Sequence, residues 1–396
     1  GRYSHNSSSS SGKTSSVNSP TYLLLPCVVS TQQFMFSGTH LNEIHVRATP
    51  VRSLSVVATP IPEEDEYDSA RTYMRSQGWP LGLQNTLIQS LNKFPVRFVV
   101  VDNSGSMRTN DGHRLVDTTN GPRSLECSRW TELSETLRFH GNLAYRLHAH
   151  TEFLFLNGVS SIVIGDSDDA SYVRTLESVL DDAPRGKTPL CRRISEVVEK
   201  IQVMKSYLLA NNQRAVVVVA SDGEATDGNL ADAMRPLQNL PVWVVVRLCT
   251  DDENVVSYWN NIDRQLEIDM DVLDDLFGEA AEVKSGNQWL TYGQPLHRLR
   301  EWGVHLRELD LIDQCSLSLQ DMWTVCATLL ACDLPHPELQ WEEFITQLRS
   351  AIESDNGTFD PIKRRHSPWV KVNKVIKTYR HMRTTNWLRR IMASVL

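Results

Sequence analysis

The chain lacks most signatures that would assign it a chemistry. No apolar run approaches the ~18 residues needed to cross a bilayer, so no membrane-spanning helix is expected. Its seven cysteines, at 27, 127, 191, 249, 315, 326 and 332, form no C-x-x-C and are odd in number. That argues against a disulfide framework or a zinc site and favours a reducing compartment. Neither H-E-x-x-H nor G-x-S-x-G occurs. Gly186-Lys-Thr188 and Gly12-Lys-Thr14 lack the glycine that a phosphate-binding loop carries five residues earlier; Asp181 and Ser7 stand there. Of twelve histidines, His140, His148 and His150 fall in one helical region and read as helix-face residues. No catalytic activity is expected, and a metal-assisted hydrolase has neither base nor nucleophile to support it.

What is present is an ordinary globular composition, 41% hydrophobic and 22% charged over 396 residues. The net charge of −8 is unevenly spread. Residues 361–396 hold ten Lys or Arg and no acid, and residues 1–62 hold four bases and one acid. The middle is left with 26 bases and 47 acids, a net −21. A basic tail could fold back on that acidic body or hold an acidic partner. Segment 1–62 is rich in Ser and Thr and does not begin with Met. It reads as a disordered tail, with a targeting peptide for organelle import as the alternative.

From residue 96 strands and helices alternate. The spacing predicts strands at Val96–Val101, Glu152–Leu156, Ser161–Ile164, Ala215–Ala220 and Val242–Leu248. Helices are predicted at Ser128–Ala149, Ser171–Leu180, Leu190–Ala210, near Asn229–Gln238, and at Asp252–Leu266. The β-branched run Ala215–Ala220 has the character of a strand buried on both faces. Two helices, Ser69–Gln77 and Gln84–Lys93, lead in; Leu296–Leu309, Ser318–Ala331 and Trp341–Glu353 follow as helices. The expected fold is α/β, a doubly wound, mostly parallel sheet with helices on both faces, followed by a helical C-terminal region. The expected organisation is a disordered segment 1–62, a helical lead-in 63–91, an α/β domain 92–285, a helical region 286–360 and a basic tail 361–396.

Three short pieces lie at strand or loop ends: Asp102-Asn-Ser-Gly-Ser106, Gly186-Lys-Thr-Pro-Leu190 and Ala220-Ser-Asp-Gly-Glu224. They offer hard oxygen donors on the sheet edge where ligands bind in open α/β folds. Alone, the first could be a turn in which Asp102 and Ser104 cap the next segment, but that leaves Thr188 and Asp222 without a role. In order and spacing, about 85 and 35 residues apart, the three pieces resemble the von Willebrand factor A-type domain over about residues 92–285. The resemblance implies a metal-ion-dependent adhesion site for Mg²⁺ or Mn²⁺. Ser104, Ser106 and Thr188 would bind the metal directly, while Asp102 and Asp222 would act through bound water. It also implies a partner protein whose Asp or Glu completes the coordination. Many members carry a second glycine where this chain has Lys187, which leaves the strength of the site open.

Asn103, Gly105 and Met107 read as geometric, with Met107 packed inward. Glu224 and Asp227 lie close enough to tune the site, and Asp227 is favoured as the N-cap of the next helix. His113–Asp117 and Arg123–Cys127 read as a hairpin beside the metal, either a specificity loop or a surface feature without function. The tail interleaves Trp369, Tyr379 and Trp387 with its cations. RNA contact or an acidic membrane are the alternatives to its folding back on the body. The expected function is an intracellular, cytoplasmic, metal-dependent protein-interaction module or adaptor, with an RNA-associated protein as the alternative.

Overall fold

The structure, a computed structural model, describes residues 67–378 apart from 117, 119–121, 160 and 251. The expected disordered segment 1–62, Tyr379 and Trp387 lie outside the described residues. Helices α1 (Asp68–Ser76) and α2 (Leu81–Ser90) come first. Then follow β1 (Val96–Val101), a hairpin of β2 (Gly112–Val116) and β3 (Arg123–Cys127), α3 (Arg129–Arg146), β4 (His150–Phe155), β5 (Ile162–Ile164), α4 (Ser171–Asp181) and α5 (Leu190–Ala210). The chain continues through β6 (Ala215–Ser221), α6 (Leu230–Met234), β7 (Val242–Leu248), α7 (Glu253–Gln265), β8 (Met270–Leu273) and α8 (Leu276–Gly286). It ends with α9 (Gln294–Glu301), α10 (Arg307–Leu311), α11 (Leu319–Leu330), α12 (Trp341–Glu353) and a small hairpin, β9 (Thr358–Asp360) with β10 (Arg365–Ser367).

Six strands form one sheet in the order β5-β4-β1-β6-β7-β8. All neighbours pair in parallel except β5, which runs antiparallel to β4 at the edge. Ranked along the chain, this order is 3-2-1-4-5-6, the doubly wound order whose switch point lies between the first and fourth strands. Here those strands are β1 and β6, and their C-terminal ends carry Asp102 and Asp222.

The central strands are apolar because both their faces are covered. Every residue of β1, β6 and β7 is buried. Val96, Phe98 and Val100 pack with Val217, Val219, Val244 and Val246 under α5, α6 and α7. Val99, Val101, Val216, Val218 and Val245 face a second core built from α1, α2, α3, α4 and the C-terminal helices α8–α12. The described residues belong to one compact unit. No helix among them is long and apolar enough to cross a membrane, and their six cysteines are free thiols.

Four differences from the sequence expectation have physical causes. The helix expected at Leu296–Leu309 is two helices, α9 and α10. The chain turns at Gly303, whose φ of +87° favours glycine. A Cβ there would stand 2.3 Å from Cγ1 of Val216 on the sheet. Strand β8 and helix α8 were not expected because each buries a charged residue, Asp271 and Glu279. The helix near Asn229–Gln238 is one turn of α-helix followed by a 3-10 turn at Arg235–Asn239 containing Pro236. Asn229 caps that α-turn. Asp227 instead accepts hydrogen bonds from the Cys191 and Arg192 amides at 3.0 and 2.9 Å, so it caps the start of α5.

The first part of the basic tail folds back. Trp369, Val370 and Val375 are core residues. Lys371 Nζ donates to the Leu290 carbonyl and pairs with Asp360, and Lys374 Nζ donates to Gln288. With 1% exposure, Trp369 cannot stack on a base, which removes one of the aromatics on which the RNA alternative rested.

The second core also holds a titrating group. The His140 ring lies 5.5 Å from the rings of Phe139 and Trp302. Burial pushes its pKa down from 6.5 to about 4. Between those values the unfolded chain takes up a proton at His140 that the folded chain refuses. Stability therefore falls as pH drops through that window, by about 3 kcal/mol over the full shift. His140→Phe is expected to flatten the denaturation free energy between pH 6.5 and 4. An unchanged slope in that variant would assign the acid sensitivity elsewhere.

Candidate metal centre

The switch point is built by three loops held together through their backbones. After β1, Asp102 N–H donates to the Ala220 carbonyl of β6 at 2.9 Å. Asn103 then clamps its loop to the end of β4: its Nδ2 donates to Asn157 O at 2.9 Å, and its Oδ1 accepts from Asn157 N at 2.8 Å. The second loop docks on the first, with Gly105 N donating to Gly186 O at 3.1 Å and Arg185 N donating to Asn103 O at 2.8 Å. Gly186 sits at φ +97° with the Asn157 side chain 2.5 Å from where a Cβ would be. Only glycine fits, and its carbonyl is thereby aimed at Gly105. Thr188 is joined to the third loop through its amide to Thr226 Oγ1, 3.2 Å, and its carbonyl to Thr226 N, 2.9 Å.

On this frame four of the five expected ligand residues form one chain of hydrogen bonds. Asp102 Oδ1 accepts from Ser104 N at 2.9 Å, and its Oδ2 accepts from Ser221 Oγ at 2.6 Å. Ser104 Oγ lies 2.9 Å from Ser106 Oγ, which donates to Asp222 Oδ1 at 2.8 Å. Thr188, the fifth, lies on the second loop, tied to the third through Thr226. Asp102 is fully buried, and Ser104, Thr188 and Asp222 are at most 7% exposed, while Ser106 opens to the surface. Met107, beneath the loop, is buried as expected.

The electrostatics come from burial of like charges. Desolvation raises the Asp102 pKa; hydrogen bonds from Ser221 and Ser104 oppose this, and the Asp222 charge adds to it. The counter-charge is one that the sequence reading missed. Arg129 Nη1 donates to Asp222 Oδ2 at 2.9 Å, while Nε and Nη2 hold Asp111 at 2.7 and 2.5 Å. Its guanidinium is thus anchored along one edge and spends its remaining terminal nitrogen on the site. Arg129 is held even more firmly protonated by these bonds, Asp111 first, and Asp111 is held below its usual carboxylate range by the same contact. Lys187 is exposed; its carbonyl, not its ammonium, meets Asn157.

The expected hairpin is present, β2 pairing with β3 from Gly112↔Cys127 to Val116↔Arg123. Its root touches the site: Asp111, one residue before β2, is the anchor of Arg129. Helix α3 fixes the other side, with His113 N donating to Glu132 Oε2 at 2.8 Å. Arg129 could have been suspected only from its place beside Ser128, the N-cap of α3.

Hard oxygen donors of this kind suit Mg²⁺ or Mn²⁺. Three hydroxyls and two buried carboxylates at one loop cluster fit such an ion. A second group of acids, Glu279, Glu282 and Asp313, has carboxylate oxygens within 4.8 Å of one another. There Glu279 and Asp313 already meet the guanidinium of Arg300, each at 2.6 Å.

The geometry defines a doubly wound α/β fold with an oxygen-rich site at its switch point. No family model matches the chain, and no curated protein matches it. Among solved structures, the VWA domain of SpRpn10 is similar at 12% identity over 46% of this chain and 87% of that chain, with a TM-score of 0.30. A likeness of that size carries no argument; the fold rests on the strand order and pairing.

Proposed function

We propose that the switch-point site holds a divalent cation, Mg²⁺ or Mn²⁺, and that the chain is a protein-interaction module which binds an acidic side chain of a partner through it. The observation that carries this reading is the hydrogen-bonded series Asp102–Ser104–Ser106–Asp222 at the C-terminal ends of β1 and β6. It joins two buried carboxylates through the exposed Ser106. In the proposal Ser104, Ser106 and Thr188 supply direct oxygen ligands. Asp102 and Asp222 orient those hydroxyls and bound water, as outer carboxylates do. The ion would supply an open coordination position for a carboxylate. With few anionic ligands on the protein, that position stays attractive to an incoming acid. In this reading the hairpin of β2 and β3, rooted beside the site at Asp111, would contact the same partner.

The test is thermal unfolding in EDTA and in millimolar Mg²⁺ or Mn²⁺, for wild type and Asp102→Ala. Ligand at about 100 times its Kd stabilises by about 2.7 kcal/mol. A metal-dependent rise in Tm that the variant lacks is expected. The same rise in Asp102→Ala, or no rise in either wild type or Arg129→Met, would defeat the assignment.

A further inference from the structure

Among the described residues, Arg129 is the one cation hydrogen-bonded to the series. It reaches Asp222 from the first residue of α3, 93 positions away in sequence. Its side chain is only 12% exposed, and that of Asp222 is fully buried. Two features make it a fixed charge. The Asp111 carboxylate grips Nε and Nη2 together, the bidentate geometry that best immobilises a guanidinium. The residue is also pinned in the backbone, since Arg129 N donates to the Thr109 carbonyl at 3.0 Å. The positive charge therefore cannot swing away from Asp222 without breaking the root of the hairpin.

Resting on the metal reading above, we infer that Arg129 is a built-in competing cation that weakens the site's hold on a divalent ion. Asp222 Oδ1 is already engaged by Ser106, so Oδ2 is the oxygen left to orient a metal-bound water. That oxygen is the one Arg129 occupies. A fixed positive charge within a few ångströms of a divalent ion in a partly dry site repels it, and does so more strongly than it would in water. In return, Arg129 makes the metal-free state tolerable by neutralising a buried carboxylate whose charge would otherwise be unpaired. The site is thus set to low intrinsic affinity with a stable empty fold.

The experiment is titration calorimetry of the full chain with Mg²⁺, and of Arg129→Met and Arg129→Lys, with Tm in EDTA for each. Arg129→Met is expected to bind Mg²⁺ roughly tenfold more tightly or better, to melt earlier than wild type in EDTA, and to show the larger Mg²⁺-induced rise in Tm. Arg129→Lys keeps the charge but loses the bidentate grip of Asp111, so it is expected to bind more tightly than wild type and less tightly than Arg129→Met. Gain of binding in Arg129→Met where wild type shows none would also support the inference. Equal or weaker binding in Arg129→Met while wild type binds would overturn it and leave the metal reading intact, with Arg129 then a residue that positions Asp222. The same tightening in Arg129→Lys would overturn it too, because the charge is still there. No binding by any of the three would sink the metal reading itself.

Discussion

Arg300→Met is expected to cost about 3–5 kcal/mol, the loss typical of stripping one partner from a buried charge cluster. The guanidinium is 1% exposed and faces three carboxylates: Glu279 at 2.6 Å, Asp313 at 2.6 Å and Asp271 at 3.2 Å. These come from α8, from the turn after α10, and from the edge strand β8, while Arg300 belongs to α9. One side chain therefore ties the last strand of the sheet to the helices that follow it. Burial raises the pKa of both Glu279 and Asp271 even with the cation in place. Without Arg300 these acids would have to take up protons or draw in water. Methionine fills the volume, so the loss reports the charge and not a cavity. Urea denaturation at pH 7 measures it, and a cost below about 1 kcal/mol would show that the acids neutralise themselves cheaply.

The second large effect is a test of sign. Gly82 lies in the first turn of α2, where helix propensity alone predicts that Gly82→Ala stabilises by up to about 1 kcal/mol. Packing predicts the reverse. A Cβ at Gly82 would lie 1.7 Å from the Thr328 carbonyl oxygen and 2.6 Å from that of Leu329, both backbone atoms of α11. Neither can move unless the two helices separate. Overpacking of this kind costs about 3 kcal/mol, so the net change should be clearly destabilising. A Tm equal to or above that of wild type would mean that α2 shifts freely against α11.

Elements with one unbroken pattern of burial, continuous in a strand or periodic in a helix, were readable in the sequence. Val96–Val101, Leu190–Ala210, Val242–Leu248 and Trp341–Glu353 have the same ends in the structure. Each is a run of one character closed by loop residues such as Pro95, Pro189 or Pro241. Strand β8 was unreadable because Met270-Asp-Val-Leu273 buries a carboxylate that only Arg300, 29 residues on, makes tolerable. The break at Gly303 was hidden because its cause, Val216, is remote in sequence. The candidate site divides the same way. Its three loop pieces are contiguous motifs and could be found one at a time. The pairing of Arg129 with Asp222 belongs to no motif and arises only when β6 and α3 are brought together. The sequence offers Lys187, next to a motif residue, as the cation beside the site; the structure supplies Arg129, just past the hairpin.

The way the sheet is roofed sets a schedule for making this protein. One face is closed by α5, α6 and α7, which follow β1 and alternate with β6, β7 and β8 along the chain. The other face depends on the Trp302–Gly303 corner. There Trp302 receives the Nε hydrogen bond of Arg97 on β1, 205 residues away, and Gly303 rests on Val216. Behind that corner come α11 and α12. At about 5–20 residues per second, the interval between completing β8 at Leu273 and finishing α12 at Glu353 is about 4–16 s. Until Gly303 emerges, the sheet at Val216 has only the part of this core that α1, α2, α3 and α4 supply. A nascent chain of this fold passes through a sticky half-clad stage, and the cell must shield that stage or outrun it.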